Sequence, residues 1–339
     1  MQHQPNYLEP LLGHMNLLLS QSLAPSTLNL YRTAFNSYQS FCQDTYLELF
    51  PVNEFKLMLY VTSISNRLAF KSIKTYISGI QFSCTMQGQN IPISSMHQLY
   101  YLLRGIRRTQ GTSRSRPPRL PITVTHLYKL HNFINNKQIP FMDKLLLWSA
   151  ITTAFFGLLR SAEYTSSHVK QYNSSYTLLL SDVSFSPNLT YMAIKIRASK
   201  TDPFRTGCTV RIGSTGNHLC PVSALYHFIR HRTSINRPLF TYSDGSYLTR
   251  SRISTILFNC FQDYRINTHS LRIGGATTKA SAGIPDSTIM ILGRWSSNAY
   301  QLYLRMSDSL IRNTTHKMSI TTLITKDWDS DVLKSMQKH

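Results

Sequence analysis

The amino-acid sequence predicts a mainly α-helical protein with one small antiparallel β-sheet, in two folded regions joined by a basic connector. Three observations lead there. Apolar residues recur at helical spacing through 15–110, as at Leu30, Ala34, Tyr38 and Phe41. The period shortens to β-prone runs in one place only, between 176 and 212. The segment 104–119 changes character, with Gly, Ser, Thr, the pair Pro117 and Pro118, and the six arginines Arg104, Arg107, Arg108, Arg114, Arg116 and Arg119.

Taken in order, Pro25 or Ser26 opens the first clear helix, and further helices are expected around 52–65, 69–87 and 94–108. Beyond the connector, 122–136 and 139–159 read as helices, the second apolar enough to be buried. The runs 176–185, 191–198 and 209–212, separated by Asn, Pro, Ser and Gly, predict a three-stranded meander. Helices return at 222–232, 249–262, 269–282, 286–292 and 297–305. The stretch from 307 to 339 is rich in Ser and Thr yet carries Ile311, Met318, Ile320, Leu323, Ile324, Trp328 and Leu333. A solvated tail would not need these, so docking is expected. The organisation is therefore an N-terminal tail at 1–14, a helical domain at 15–110, a linker at 111–121, a second domain at 122–308 and a tail at 309–339.

The charge balance narrows the partner. Against 36 Lys and Arg stand 15 Asp and Glu, a formal net charge of +21. Scarcity of acids suits a surface laid against a polyanion, where each carboxylate would repel phosphate. No apolar run reaches the length of a membrane span, and no secretory signal pattern opens the chain. Cys42, Cys84, Cys208, Cys220 and Cys260 are scattered without a CxxC pair, which fits reduced core cysteines. His218 beside Cys220 lacks further ligands at zinc spacing, and carboxylates for Mg²⁺ are not clustered, so neither a metal nor a cofactor is expected. A phosphate met by this chain is handled by arginines.

Four segments carry candidate chemistry: the run Gly-Leu-Leu-Arg-Ser-Ala-Glu containing Arg160 and Glu163, the run Ser-Lys-Thr-Asp containing Lys200, the run His-Ser-Leu-Arg from His269 to Arg272, and Gly-Arg-Trp ending at Trp295. Spacing of three places His269 and Arg272 on one helix face, where a guanidinium can grip phosphate oxygens while the imidazole handles a proton. Gly274 and Gly275 let a backbone approach that face. Each segment alone has a plain structural explanation. An HxxR pair is commonly a cap or surface pair, a tyrosine on an apolar helix face is commonly core, and an arginine-rich connector is commonly solvated. The connector arginines, with no acid nearby, add a phosphate-tracking or nuclear-import role.

The order of the segments is more specific than any of them. Arg160, Lys200, His269, Arg272, Trp295 and Tyr303, in that sequence and at these separations, resemble the tyrosine recombinase (phage integrase-like) family. The runs Gly-Arg-Trp-Ser-Ser-Asn-Ala-Tyr and Tyr-Leu-Arg look most like recombinases of eukaryotic Crypton- or DIRS-type mobile elements. The resemblance implies a helical, SAM-like core-binding domain ahead of a tyrosine-recombinase catalytic domain. It also implies a site-specific recombinase acting on double-stranded DNA through a 3′-phosphotyrosyl intermediate, without metal or ATP. By the same resemblance Arg160 and Arg272 clamp the scissile phosphate, Lys200 protonates the leaving 5′ oxygen and His269 takes the proton of the nucleophile Tyr303. Trp295 packs and donates its indole N–H to a phosphate oxygen, and Glu163 orients Arg160 or His269 from behind. The gap from Trp295 to Tyr303 is one residue shorter than in most bacterial members, which raises Tyr300 as a second candidate; Tyr-Leu-Arg favours Tyr303. The apolar tail is expected to exchange between subunits of a tetramer on two DNA sites. The expected location is the nucleus for a eukaryotic element, otherwise the cytoplasm with nucleoid DNA. Three other readings are a catalytically inactive, recombinase-derived DNA-binding protein, a type IB topoisomerase-like enzyme and an RNA-binding or structural basic protein.

Overall fold

A computed structural model of the chain describes residues 8–111, 117–197, 202, 206–232, 238–295 and 301. The chain divides into two units, Met1–Pro117 and Pro118–His339, each with its own core.

In the first unit, five helices run α1 (Leu8–Ser20), α2 (Pro25–Asp44), α3 (Glu54–Ser65), α4 (Phe70–Met86) and α5 (His97–Gln110). Apolar stripes of α2, α3 and α4 meet in a core around Tyr38, Leu57, Tyr60, Ile73 and Ile80. Gly79 lets α4 lie close on α2, since a Cβ there would meet Ala34 Cβ at 2.8 Å. The ends are closed by side chains: Asn53 accepts from Lys56 N at 2.9 Å, and Glu54 Oε1 accepts from Leu99 N at 2.9 Å. Two details depart from the sequence reading. Helix α1 begins at Leu8, inside the expected tail, and no residue of it is buried. Helix α5 runs to Gln110, two residues past the expected 94–108, and carries Arg104, Arg107 and Arg108 exposed on its surface. Leu99, Leu102, Leu103 and Ile106 anchor that helix on the core, and basic residues suit its negative C-terminal end.

The second unit is built on α7 (Phe141–Phe156), in which every residue from Leu146 to Phe155 is buried. Against it pack α6 (Val124–Asn135), α9 (Pro221–His231), α11 (Thr268–Ser281) and the short α8 (Ser161–Tyr164), while α10 (Arg250–Phe261) lies on α6 and α11, and α12 (Asp286–Gly293) lies on α11. Three antiparallel strands, β1 (Val183–Phe185), β2 (Tyr191–Ile196) and β3 (Cys208–Gly213), form a sheet in that order, with Ile194 paired to both Val183 and Val210. Met192, Ile194 and Ile196 alternate into the core, as a half-buried strand requires. The first strand is shorter than expected. Asp182 explains this, because its carboxylate accepts from Leu179 N at 2.9 Å and closes a 3₁₀ turn over Leu180–Asp182. The helix expected at 297–305, apart from Gln301, and the tail at 309–339 lie outside the described residues.

Candidate active site

Helix α7 ends at Gly157, and the chain turns sharply through Leu158, whose φ of 49° is left-handed although the residue is not glycine. That turn aims the Leu158 carbonyl toward α11, where Arg272 donates to it from Nη1. Two residues on, Arg160 caps α8, and Glu163 folds back to accept from Arg160 N at 2.8 Å. The other Glu163 oxygen takes Arg160 Nη1 at 3.0 Å. Such a carboxylate is held because its side chain is only 1% exposed, where an unpaired charge would be costly.

A second strained residue faces the first. Arg294 follows α12 in the left-handed region, at φ 57°, a position glycine usually fills. Its Nη2 lies 2.7 Å from Glu163 Oε2 and 3.4 Å from the Leu158 carbonyl. One buried carboxylate therefore holds two guanidiniums. Sequence reasoning quoted Arg294 inside a motif and gave it no role; a lone arginine beside tryptophan carries no signal of a partner 131 positions away.

Arg272 is fully buried, its Nη2 donating to the Gly293 carbonyl and its guanidinium lying over the Trp295 ring at 4.1 Å. Gly293 makes that stacking possible, since a Cβ there would meet the indole at 1.7 Å. Gly274 and Gly275 bring α11 against backbone: a Cβ would meet the Ile122 carbonyl at 1.8 Å or the Phe155 carbonyl at 2.3 Å. His269 sits in the first turn of α11, its N–H accepted by the Asn267 side chain at 3.0 Å. Burial first, then the charges of Arg119, Arg272, Arg160 and Arg250, push its pKa down to about 4. The imidazole is neutral at pH 7. Arg119 reaches this neighbourhood because Leu120 N and Ile122 N donate to the Arg265 and Ser270 carbonyls. Arg250, at the start of α10, also went unassigned from sequence.

The foot of the β2–β3 hairpin closes the region. Burial raises the pKa of the Cys208 thiol at the start of β3, while Arg294 and Arg160 pull it down and Glu163 and Asp202 push it up. Asp202 accepts from Thr206 N at 3.1 Å and Gly207 N at 2.7 Å, and Arg197 Nε lies 2.8 Å from Asp182 Oδ2. The structure thus gathers Arg160, Glu163, His269, Arg272 and Trp295. Arg104, Arg107 and Arg108 belong to the first unit, on α5. Lys200, Tyr300, Tyr303, Arg114 and Arg116 lie outside the described residues. Among the described residues no cluster of His, Cys, Asp and Glu is arranged to hold a metal ion, and no helix is long and apolar enough to cross a membrane.

Solved structures share this arrangement of helices and sheet. The XerH site-specific recombinase bound to palindromic difH substrate, a post-cleavage complex, superposes with a TM-score of 0.56 at 14% identity, over 87% of this chain and 79% of that one. The chain has the tyrosine-recombinase fold. The Tn1549 transposon integrase in complex with a circular intermediate DNA gives 0.54 at 14% identity, over 84% of this chain and 99% of that one. A lambda integrase dimer bound to a COC′ core site gives 0.56 at 14% identity, over 89% and 82%. No protein-family model and no curated protein matches the sequence.

Proposed function

We propose that the chain is a site-specific DNA recombinase or integrase that cuts and rejoins strands through a 3′-phosphotyrosyl intermediate. The observation carrying this reading is the pairing of Arg160 and Arg294 on the buried Glu163 carboxylate, with Arg272 on the adjoining Leu158 carbonyl and the neutral His269 in the field of these arginines. Three guanidiniums and one carboxylate leave an excess of positive charge, which suits stabilisation of a phosphorane-like transition state. The shared fold agrees, since the neighbours named above were solved with DNA.

In this reading the Tyr303 oxygen attacks phosphorus and the P–O5′ bond breaks. The tyrosine proton passes to the neutral His269 imidazole, and the departing 5′ oxygen takes a proton from Lys200. The phosphoryl group stays on Tyr303, so a 5′ hydroxyl of another strand can reverse the step without ATP. Bound phosphate offsets the field of the arginines and makes His269 a better base than in the free protein. The roles of Lys200 and Tyr303 rest on sequence order alone. The partner is double-stranded DNA, gripped outside the site by Arg104, Arg107, Arg108, Arg114 and Arg116 and beside His269 by Arg119, and the apolar tail supports a tetramer on two sites. A Crypton- or DIRS-type element as parent, and hence the nucleus, is the favoured origin.

One observation favours a second reading, a recombinase-derived DNA-binding protein without catalysis. Arg272 is closed off under Trp295, with both Nη atoms on carbonyls. The experiment that separates the two uses nicked suicide duplexes carrying the sequences that flank the gene. The enzyme reading expects a denaturation-resistant protein–DNA adduct from wild type and none from Tyr303→Phe. Adduct from Tyr303→Phe but not Tyr300→Phe moves the nucleophile to Tyr300; no adduct from wild type supports the second reading.

A further inference from the structure

Arg294 holds three features that structural pairing alone does not explain. Its Nη2 is bonded to Glu163, yet its Nε and Nη1 are buried with no hydrogen-bond partner among the described residues. A buried guanidinium N–H without an acceptor is costly, so each calls for an acceptor from outside. The backbone is left-handed at Arg294, a strain of the order of 1 kcal/mol that glycine would relieve and that persists where a side chain matters. And Glu163, already paired to Arg160, neutralises only one of the two guanidiniums it holds.

We propose that Arg294 is an anion-binding residue of this site, gripping the same phosphate oxygens as Arg160, with Glu163 as the carboxylate that sets the two guanidiniums side by side. The proposal rests on the DNA-cleavage reading for the identity of the phosphate, a backbone phosphodiester, but the anion site itself is independent of that reading. Glu163 takes Arg160 on one oxygen and Arg294 on the other, so neither arginine can swing away from its neighbour without breaking a short ion pair. The αL turn at Arg294 brings the side chain back toward Leu158 and sends the next residue, Trp295, over Arg272. In this division of labour Trp295 covers one arginine while Arg294 offers another.

The test has two arms, both on the full chain. In the first, inorganic sulfate is titrated against chloride of equal ionic strength while thermal unfolding is followed. Wild type and Arg294→Lys are expected to gain stability from sulfate beyond chloride, and Arg294→Met to lose that gain. Because Arg294→Met leaves Glu163 with one partner fewer, Arg294→Met with Glu163→Gln is measured beside it and is expected to match. Equal sulfate response in all four proteins, or none in wild type, overturns the proposal. In the second arm, adduct formation is compared on a phosphodiester and on a methylphosphonate at the scissile position, which lacks the negative oxygen. Arg294→Met is expected to slow cleavage of the phosphodiester by about 10²–10³-fold, the typical loss for one transition-state donor, and far less on the neutral linkage. An equal loss on both substrates makes Arg294 merely structural, and cleavage at the wild-type rate removes it from the site. An Arg294-dependent sulfate response in a wild type that forms no adduct sinks the recombinase reading and leaves the anion site standing.

Discussion

Glu163 and Arg294 meet at 2.7 Å across 131 positions of sequence, tying the first turn after α7 to the end of α12. The carboxylate is the buried counter-charge of this neighbourhood, and its removal leaves guanidiniums facing one another. Glu163→Ala is expected to destabilise the second unit by about 3–5 kcal/mol, the usual result of stripping one partner from a buried ion pair. Glu163→Gln keeps an acceptor for Arg160 N and should cost clearly less. Urea unfolding of both variants checks the order.

Gly274 separates two kinds of glycine in this chain. An added methyl there would meet the Ile122 carbonyl, which belongs to backbone and cannot step aside, whereas at Gly105 in α5 it meets nothing within 4 Å. Gly274→Ala is expected to lose at least about 3 kcal/mol by overpacking. Gly105→Ala should gain about 0.5–1 kcal/mol from helix propensity. Denaturation midpoints of the two variants test the contrast.

His269 makes stability depend on pH with a definite sign. Its folded pKa of about 4 lies below the ordinary 6.5. Between those values the unfolded chain binds a proton that the folded chain refuses, so folding free energy from this group is fully present above the window and lost as pH falls through it. Unfolding measured between about pH 7 and about pH 4 should show that decline, and His269→Gln should flatten it. In the free protein the imidazole resonances should titrate near the lower value, and sulfate should move the midpoint upward.

Arg104, Arg107 and Arg108 are exposed on the last turns of α5, with Arg104 over the Tyr100 ring and Arg107 over the Phe70 ring, each at 5.8 Å. If they track phosphates, each Arg→Ala change should reduce the slope of log affinity against log salt by about 0.9, whatever the duplex sequence. Filter or anisotropy binding over a salt series reads this directly. An unchanged slope would assign these arginines to surface charge only.

The helices were legible wherever an apolar stripe met a matching core. The expected 139–159 and 269–282 correspond closely to α7 and α11, because Leu146, Ile151 and Phe155 or Leu271 and Ala276 are buried at helical spacing. The first strand was overextended because a local side-chain bond from Asp182 competes with strand pairing, and propensity over 176–185 does not register such a bond. At the site, Arg160, His269 and Arg272 stood out through motif and spacing. Arg294 and Arg250 did not, since what distinguishes them is a partner or a neighbour distant in sequence. The burial of Arg272 under Trp295 was equally invisible, because it depends on Gly293 lacking a side chain.

The two hydrogen bonds from Leu120 and Ile122 carry a practical meaning. The strand of chain ahead of α6 is sewn along the start of α11, so it works as a mechanical strap on the helix bearing His269 and Arg272. Cutting the chain at Val124, where α6 begins, would free that helix on one side and open the contact at Gly274. A fragment meant to keep the site intact has to start upstream of Arg119.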